Sequence, residues 1–218
     1  MFSRLAERYN LANRWMTWGQ DGRWRREVIE RAQLPTHGRL LDIGAGTGDL
    51  ALEAIRQDRT LRVVAADFSP EMMIVGARRD GAGSICWVNN DALELPFGSG
   101  SFDAVVSGYL LRNVSDVKAA LHEQYRVLKA GGRLVCLDTT PPPSDLWHRP
   151  VHLYLKWVIP MIGGWVSGDM QAYRYLTEST KRYITASSLA ECLREVGFKE
   201  VGYRCFMGAS MAIHWAIK

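Results

Sequence analysis

Leu40-Leu41-Asp42-Ile43-Gly44-Ala45-Gly46-Thr47-Gly48-Asp49 is the stretch whose reading decides the fold. An apolar run enters a turn with glycine at every second position, and a helical pattern (Leu50, Ala51, Leu52, Ala54, Ile55) begins at once. This predicts a buried parallel strand, a tight loop and a helix N-terminus. Glycine lacks a Cβ, so a ligand can lie against bare backbone. The free N–H groups of the first helical turn then meet its polar atoms. The spacing is G-x-G-x-G, not the G-x-G-x-x-G of a dinucleotide site. The next strand, residues 61–66, runs into Asp67, about 20 residues past the loop, where a carboxylate can accept both hydroxyls of a ribose. A plain tight turn would use the same glycines; joined to Asp67 they point to a nucleoside. A ligand with a ribose and no pyrophosphate fits, and S-adenosylmethionine is such a ligand.

The bulk properties agree with one domain. A chain of 218 residues is long enough to bury a substantial core, and 47% apolar with 23% charged residues is ordinary globular composition. A net charge of +4 without a basic run gives no footprint for nucleic acid. The four cysteines are scattered and the five histidines do not cluster, which argues against a metal site and for buried free thiols in a reducing cytoplasm. No signal-peptide pattern opens the chain, and no apolar run approaches the ~20 residues of a bilayer span.

Outward from the glycine loop, the pattern alternates. Strands near 39–43, 61–66, 85–89, 102–107 and 132–138 interleave with helices near 48–57, 69–79 and 115–129. Alternation predicts a parallel sheet with helices on both faces and a ligand at the strands' carboxyl ends. Asp42, Asp67, Asp91, Gly108 and Asp138 all fall at or just past those ends, so one crevice is expected to receive them. Ser69-Pro70 reads as an N-cap and first helical residue. Lys129-Ala130-Gly131-Gly132 reads as a helix C-cap and turn. Two amphipathic helices, residues 2–17 and 21–34, form an N-terminal cover. Residues 145–166, rich in Trp, Tyr and Leu, form a helical insertion for which two readings stand open. One is a lid over a pocket; the other is a face resting at the membrane interface. A helix at Ala186 to Val196 and strands at 199–206 and 210–217 close the chain as a hairpin, bringing the sheet to seven strands.

Two segments can carry chemistry. Asp91, after the third strand, can accept from an adenine amino group while a neighbouring backbone N–H serves a ring nitrogen. After the fourth strand, Arg112-Asn113 sets a cation beside an amide. Near a phenol, a guanidinium favours the phenolate, lowering a reference pKa of about 10 by roughly 1–3 units. A solvated turn aspartate and a surface Arg-Asn pair are the plainer readings of the same residues.

The chain resembles the ubiquinone/menaquinone biosynthesis C-methyltransferase family over nearly its whole length. The resemblance rests on Phe2-Ser-Arg-Leu-Ala-Glu-Arg-Tyr9, the glycine loop, Asp67-Phe-Ser-Pro-Glu-Met72, Leu111-Arg-Asn-Val114, Tyr125-Arg-Val-Leu-Lys129 and Gly131-Gly-Arg-Leu134. Gly168-Asp169, Tyr173-Arg-Tyr-Leu-Thr-Glu-Ser179 and the ending from His214 to Lys218 add to it. It implies a Rossmann-like class I methyltransferase in a single domain: cover 1–35, cofactor core 36–138, lid 139–183 and closing helix with hairpin 184–218. The cofactor implied is S-adenosyl-L-methionine, with Asp42, Gly44, Gly46, Thr47, Asp67, Phe68, Asp91, Ala92 and Gly108 around it. Gly108 stands where the family has a serine, with Ser107 one place off. Tyr9, Arg112 and Asn113 fall where the family activates its quinol. Leu137-Asp138-Thr139-Thr140-Pro141 departs from the family's Leu-Glu-Phe-Ser-Lys, and His152 replaces an aspartate.

The expected activity is methyl transfer to a ring carbon of a prenylated quinol, without a metal, in the cytoplasm or at the inner face of the membrane. A homodimer is left open. The alternatives are an O- or C-methyltransferase for a soluble phenol, and a cofactor-binding subunit without catalysis.

Overall fold

Leu40 and Leu41 are sequence neighbours that face opposite layers of the fold. The computed structural model describes residues 17, 19–143, 148–158, 161 and 183–218. The first half of the chain gives α1 (Asp21–Ala32), β1 (Arg39–Ile43), α2 (Asp49–Gln57), β2 (Arg62–Asp67), α3 (Pro70–Ala77) and β3 (Ile85–Asn89). The second gives β4 (Phe102–Gly108), α4 (Val117–Val127), β5 (Leu128–Thr139), α5 (Arg149–Leu153), α6 (Ala186–Val196), β6 (Lys199–Phe206) and β7 (Met211–Ile217).

Leu40 joins an apolar cluster with Trp24, Val28, Ala51 and Ala54, whereas Leu41 and Ile43 join another with Leu121, Leu189 and Leu193. Side chains alternate across a strand, so a run buried throughout must be covered on both faces. Helices α1 and α2 supply one cover, α4 and α6 the other. Each presents a single apolar stripe; in α6 it is Ala186, Leu189, Ala190, Leu193 and Val196.

The sheet order is β3-β2-β1-β4-β5-β7-β6. Strands β1 to β5 are parallel, and β7 runs antiparallel to both its neighbours. The chain steps outward from β1 to β3, then crosses back to set β4 against β1. That reversal opens a crevice at the carboxyl ends of β1 and β4.

Helix starts follow the sequence. The Ser69 hydroxyl accepts from the Met72 N–H, with Pro70 in the first turn. The end of α4 does not. No turn forms at Lys129-Ala130-Gly131-Gly132; the backbone becomes extended at Leu128 and enters β5 directly. Phe102 pairs with Leu128 while Ala104 pairs with Arg133, so residues 129–132 are a bulge in β5, with Gly131 at φ 75°. The helix end is capped instead by Lys218. Its Nζ donates to the carbonyls of Tyr125 (2.6 Å), Arg126 (3.3 Å) and Leu128 (2.7 Å). The expectation of buried thiols holds fully only for Cys136; Cys86 and Cys205 are exposed on the edge strands.

Residues 2–16, including Tyr9, lie outside the described residues, as does most of the 139–183 lid. Within it, α5 and a π-helical turn at Tyr154–Val158 are described. No described helix is long and apolar enough to cross a membrane.

Candidate active site

The glycine loop is pinned to β2 before any ligand arrives. The N–H groups of Gly44 and Ala45 both donate to the Ala66 carbonyl, at 2.8 and 3.1 Å. The Gly46 N–H donates to Asp67 Oδ2 at 2.7 Å, and the Ser69 N–H to Oδ1 at 2.8 Å. Each carboxylate oxygen accepts one bond and keeps a second lone pair free. At Gly44, φ is 68° and a Cβ would stand 2.8 Å from Leu110; at Gly48, φ is 79° and a Cβ would stand 2.5 Å from Trp87. Only glycine fits either place.

This loop floors a cavity of about 500 Å³ at the carboxyl ends of β1, β2 and β4. Asp42, Gly44, Gly46, Thr47, Asp67, Phe68, Asp91, Ala92, Gly108 and Asn113 all line it. Asp42 is 1% exposed; its Oδ2 accepts from the Ala51 N–H at 3.1 Å, and its Oδ1 has no hydrogen-bond partner among the described residues. Burial pushes its carboxyl up to about 8, and Asp67 and Asp49 add to this against the Ala51 N–H and Arg25. A buried acceptor without a donor is costly, and the ammonium of an amino-acid group is the kind of donor it lacks. Four aspartates (Asp42, Asp49, Asp67, Asp91) and one arginine, Arg25, line the cavity among the described residues, which suits a cationic ligand. Phe68, 77% exposed, gives the rim a flat apolar face, and Asp91 is turned by its Oδ1 bond from the Leu93 N–H. The residues thus fit a nucleoside carrying a charged amino-acid arm.

Arg25 and Asp49 were not singled out by the sequence. Asp49 sits between Arg25 at 3.1 Å and Arg79 at 2.7 Å, and Arg79 also donates to the Thr47 carbonyl at 2.8 Å. The network ties α1 to the loop. Its only sequence signal is the spacing of Asp21 and Arg25 on one helix face, an i,i+4 pair at 3.3 Å.

Beyond β4, strand alternation decides what reaches the cavity. Gly108 lines it, whereas Ser107 points to the other face, buried beside the Cys136 thiol with which it hydrogen-bonds. Ser107 therefore does not replace the serine the family carries. Leu137 likewise lines the cavity and Asp138 does not, which corrects the expectation of a single crevice for all the strand-end acids. Tyr109 lines the wall in a left-handed conformation, φ 59°, a strained place for a bulky side chain. Its N–H donates to the Leu137 carbonyl at 2.7 Å, and its carbonyl accepts from Asn113 Nδ2 at 2.7 Å.

Arg112 does not line the cavity. Its side chain is 2% exposed, with Nε 3.6 Å from Asp138 Oδ1 and Cζ 5.4 Å from the centre of the Tyr109 ring. Nε and Nη1 have no hydrogen-bond partner among the described residues. Burial raises the Asp138 carboxyl against the pull of Arg112 and of the Thr139, Arg112 and Leu111 N–H groups. Burial, and then the charge of Asp138, pushes the nearby Tyr183 phenol up, so it stays a neutral hydroxyl.

A doubly covered parallel sheet with an antiparallel β7 inserted beside β5, and a cavity at its switch point, is the frame of the S-adenosylmethionine-dependent methyltransferases. Solved structures share the fold: an S-adenosylmethionine-dependent methyltransferase from Thermotoga maritima superposes with TM-score 0.65 at 19% identity, covering 100% of both chains. A phosphoethanolamine N-methyltransferase from Haemonchus contortus, in complex with S-adenosyl-L-methionine, gives 0.69 at 16% identity over 95% of this chain and 56% of that one. The chain belongs to the ubiE/COQ5 methyltransferase family, which matches residues 1–218. It is 44% identical over 218 residues to the ubiquinone/menaquinone biosynthesis C-methyltransferase UbiE of Desulfotalea psychrophila, covering 100% of this chain and 89% of that one. It is 40% identical over 216 residues to the demethylmenaquinone methyltransferase of Thermus thermophilus, covering 98% of each.

Proposed function

We propose that this protein methylates a ring carbon of a prenylated quinol, demethylmenaquinol or its benzoquinol counterpart. The observation that carries the reading is the buried Arg112 guanidinium, one aromatic ring away from the cavity, with two nitrogens that have no acceptor among the described residues. An anionic phenolic oxygen is the group such donors lack. When bound, S-adenosylmethionine supplies a methyl group on a positively charged sulfur, which an electron-rich ring carbon takes with loss of its proton.

The chain supplies position and charge. Asp67 holds the ribose, Phe68 and the Asp91-Ala92 turn the base, and Asp42 with the loop the amino-acid end. Arg112 stabilises the ionised hydroxyl of the acceptor, and Asn113 and Tyr9 orient it. Residues 139–183 close over the acceptor as a lid. The exposed Leu153, Trp157, Val158 and Met161 on that segment support a peripheral contact with lipid, through which the acceptor's tail enters.

The test compares a prenylated naphthoquinol, a prenylated benzoquinol and a tail-free naphthoquinol as methyl acceptors. One of the prenylated acceptors is expected to be used with kcat/KM at least ten-fold above the tail-free one. Equal use of the tail-free compound would instead identify a methyltransferase for soluble phenols.

A further inference from the structure

Asp138 faces the Arg112 guanidinium at ion-pair distance without taking a hydrogen bond from its side chain. The carboxylate is fixed by main chain: Oδ1 accepts from the Thr139 N–H at 2.8 Å and Oδ2 from the Arg112 N–H at 3.3 Å. The second bond joins β5 to the short 3₁₀ turn Leu111–Asn113, so the acid anchors the backbone of the residue that carries the guanidinium as well as facing its charge. The side-chain contact is different in kind. At 3.6 Å, Nε is within ion-pair range of Oδ1 and beyond hydrogen-bond range. Asp138 thereby offsets the buried positive charge without occupying a donor. Both side chains are almost wholly buried, at 2% and 3% exposure, so neither is held by solvent.

We propose that Asp138 is the positioning residue of the methyl-transfer site: it holds the Arg112 side chain beside the cavity wall with two donors that no described residue occupies, left for the acceptor's oxygen. The inference rests on the placement of Arg112 in the acceptor site, and it adds a residue that touches neither cofactor nor substrate. Its position on the face of β5 opposite to Leu137 keeps it out of the cofactor cavity and under the arginine. A loss of Asp138 therefore acts on turnover through Arg112 and leaves the nucleoside site unchanged.

The experiment uses the full chain and measures turnover on the prenylated quinol together with S-adenosylmethionine affinity. The variants are Asp138→Asn, Asp138→Glu, Arg112→Gln and the Arg112→Gln/Asp138→Asn pair. Removing one member of a buried ion pair strands the other, whereas removing both is far milder, so the pair variant keeps a folded protein in the series. Asp138→Asn is expected to lower kcat at least 30-fold while the donor's Kd stays within two-fold. Asp138→Glu should recover part of the loss. In the Arg112→Gln background, Asp138→Asn should change kcat less than two-fold, because the arginine it acts through is already gone. If Arg112→Gln turns over like the parent, the placement of Arg112 fails and this inference with it. If Arg112→Gln is crippled while Asp138→Asn is unaffected, or the two losses multiply in the pair variant, Asp138 does not position Arg112 and only this inference is overturned.

Discussion

The Gly46 amide donates to Asp67 Oδ2 across 2.7 Å, so the glycine loop and the acid at the end of the next strand are one rigid unit. With Ser69 N–H on the other oxygen, the carboxylate is oriented by main chain from two sides and offers its remaining lone pairs to the cavity. An asparagine is no substitute here. It would turn an NH₂ group toward a backbone N–H that needs an acceptor.

Asp67→Ala and Asp67→Asn are therefore both expected to weaken S-adenosylmethionine binding by at least ~100-fold, since hydrogen bonds to a charged group contribute about 1.5–3 kcal/mol each. Titration calorimetry on the ligand-free protein measures this. Affinity within a few-fold of the parent for either variant would remove the ribose from Asp67.

Asp42 gives the protein a pH dependence of known sign. Its carboxyl is pushed up to about 8 by burial, while an unfolded aspartate titrates near ~3.9. Between those values the folded chain binds the extra proton, so this group makes the ligand-free fold less stable as pH rises through the window. Asp42→Asn can still accept from the Ala51 N–H and carries no charge. It should raise the ligand-free Tm at pH 8 by roughly 5 °C or more, with the gain fading toward pH 4. It should also weaken donor binding, because the acceptor for the ammonium is lost. A Tm difference that does not change with pH would contradict the assignment.

Lys218 is expected to matter for stability and not for ligand. Its ammonium satisfies three carbonyls at the end of α4. Lys218→Met leaves them without that donor, at a cost of about 1–3 kcal/mol, or roughly 3–10 °C in Tm for a chain of this length. Calorimetric affinity for S-adenosylmethionine should be unchanged. A large affinity loss with a normal Tm would mean that the C-terminal strand acts on the site directly.

That cap also shows where sequence reading stops. The strand, loop and helix from Leu40 to Ile55 were legible because periodicity and glycine spacing are local signals, as is the Ser69-Pro70 cap of α3. So was the place of Asp67 and Asp91 on the cavity wall, since one ends its strand and the other lies two residues past its own. The α4 cap was not, because its donor lies 90 residues or more from the carbonyls it serves. Asp138 was misplaced for a different reason: a shift of one residue along a strand moves a side chain to the other face. Gly108 and Leu137 reach the cavity, whereas Ser107 and Asp138 are buried on the other face of the sheet. The left-handed backbone of Tyr109 leaves no trace in composition or spacing.

The central claim is transfer of a methyl group to carbon on a prenylated ring, and one product analysis tests it. The protein is incubated with methyl-labelled S-adenosylmethionine and reduced demethylmenaquinone or its benzoquinol counterpart, and the lipid product is air-oxidised and analysed by mass and NMR. The account predicts a quinone that carries the label on a ring carbon, with the matching ring proton lost. A labelled methyl ether that no longer oxidises to a quinone, or no label in any prenylated product, would contradict it.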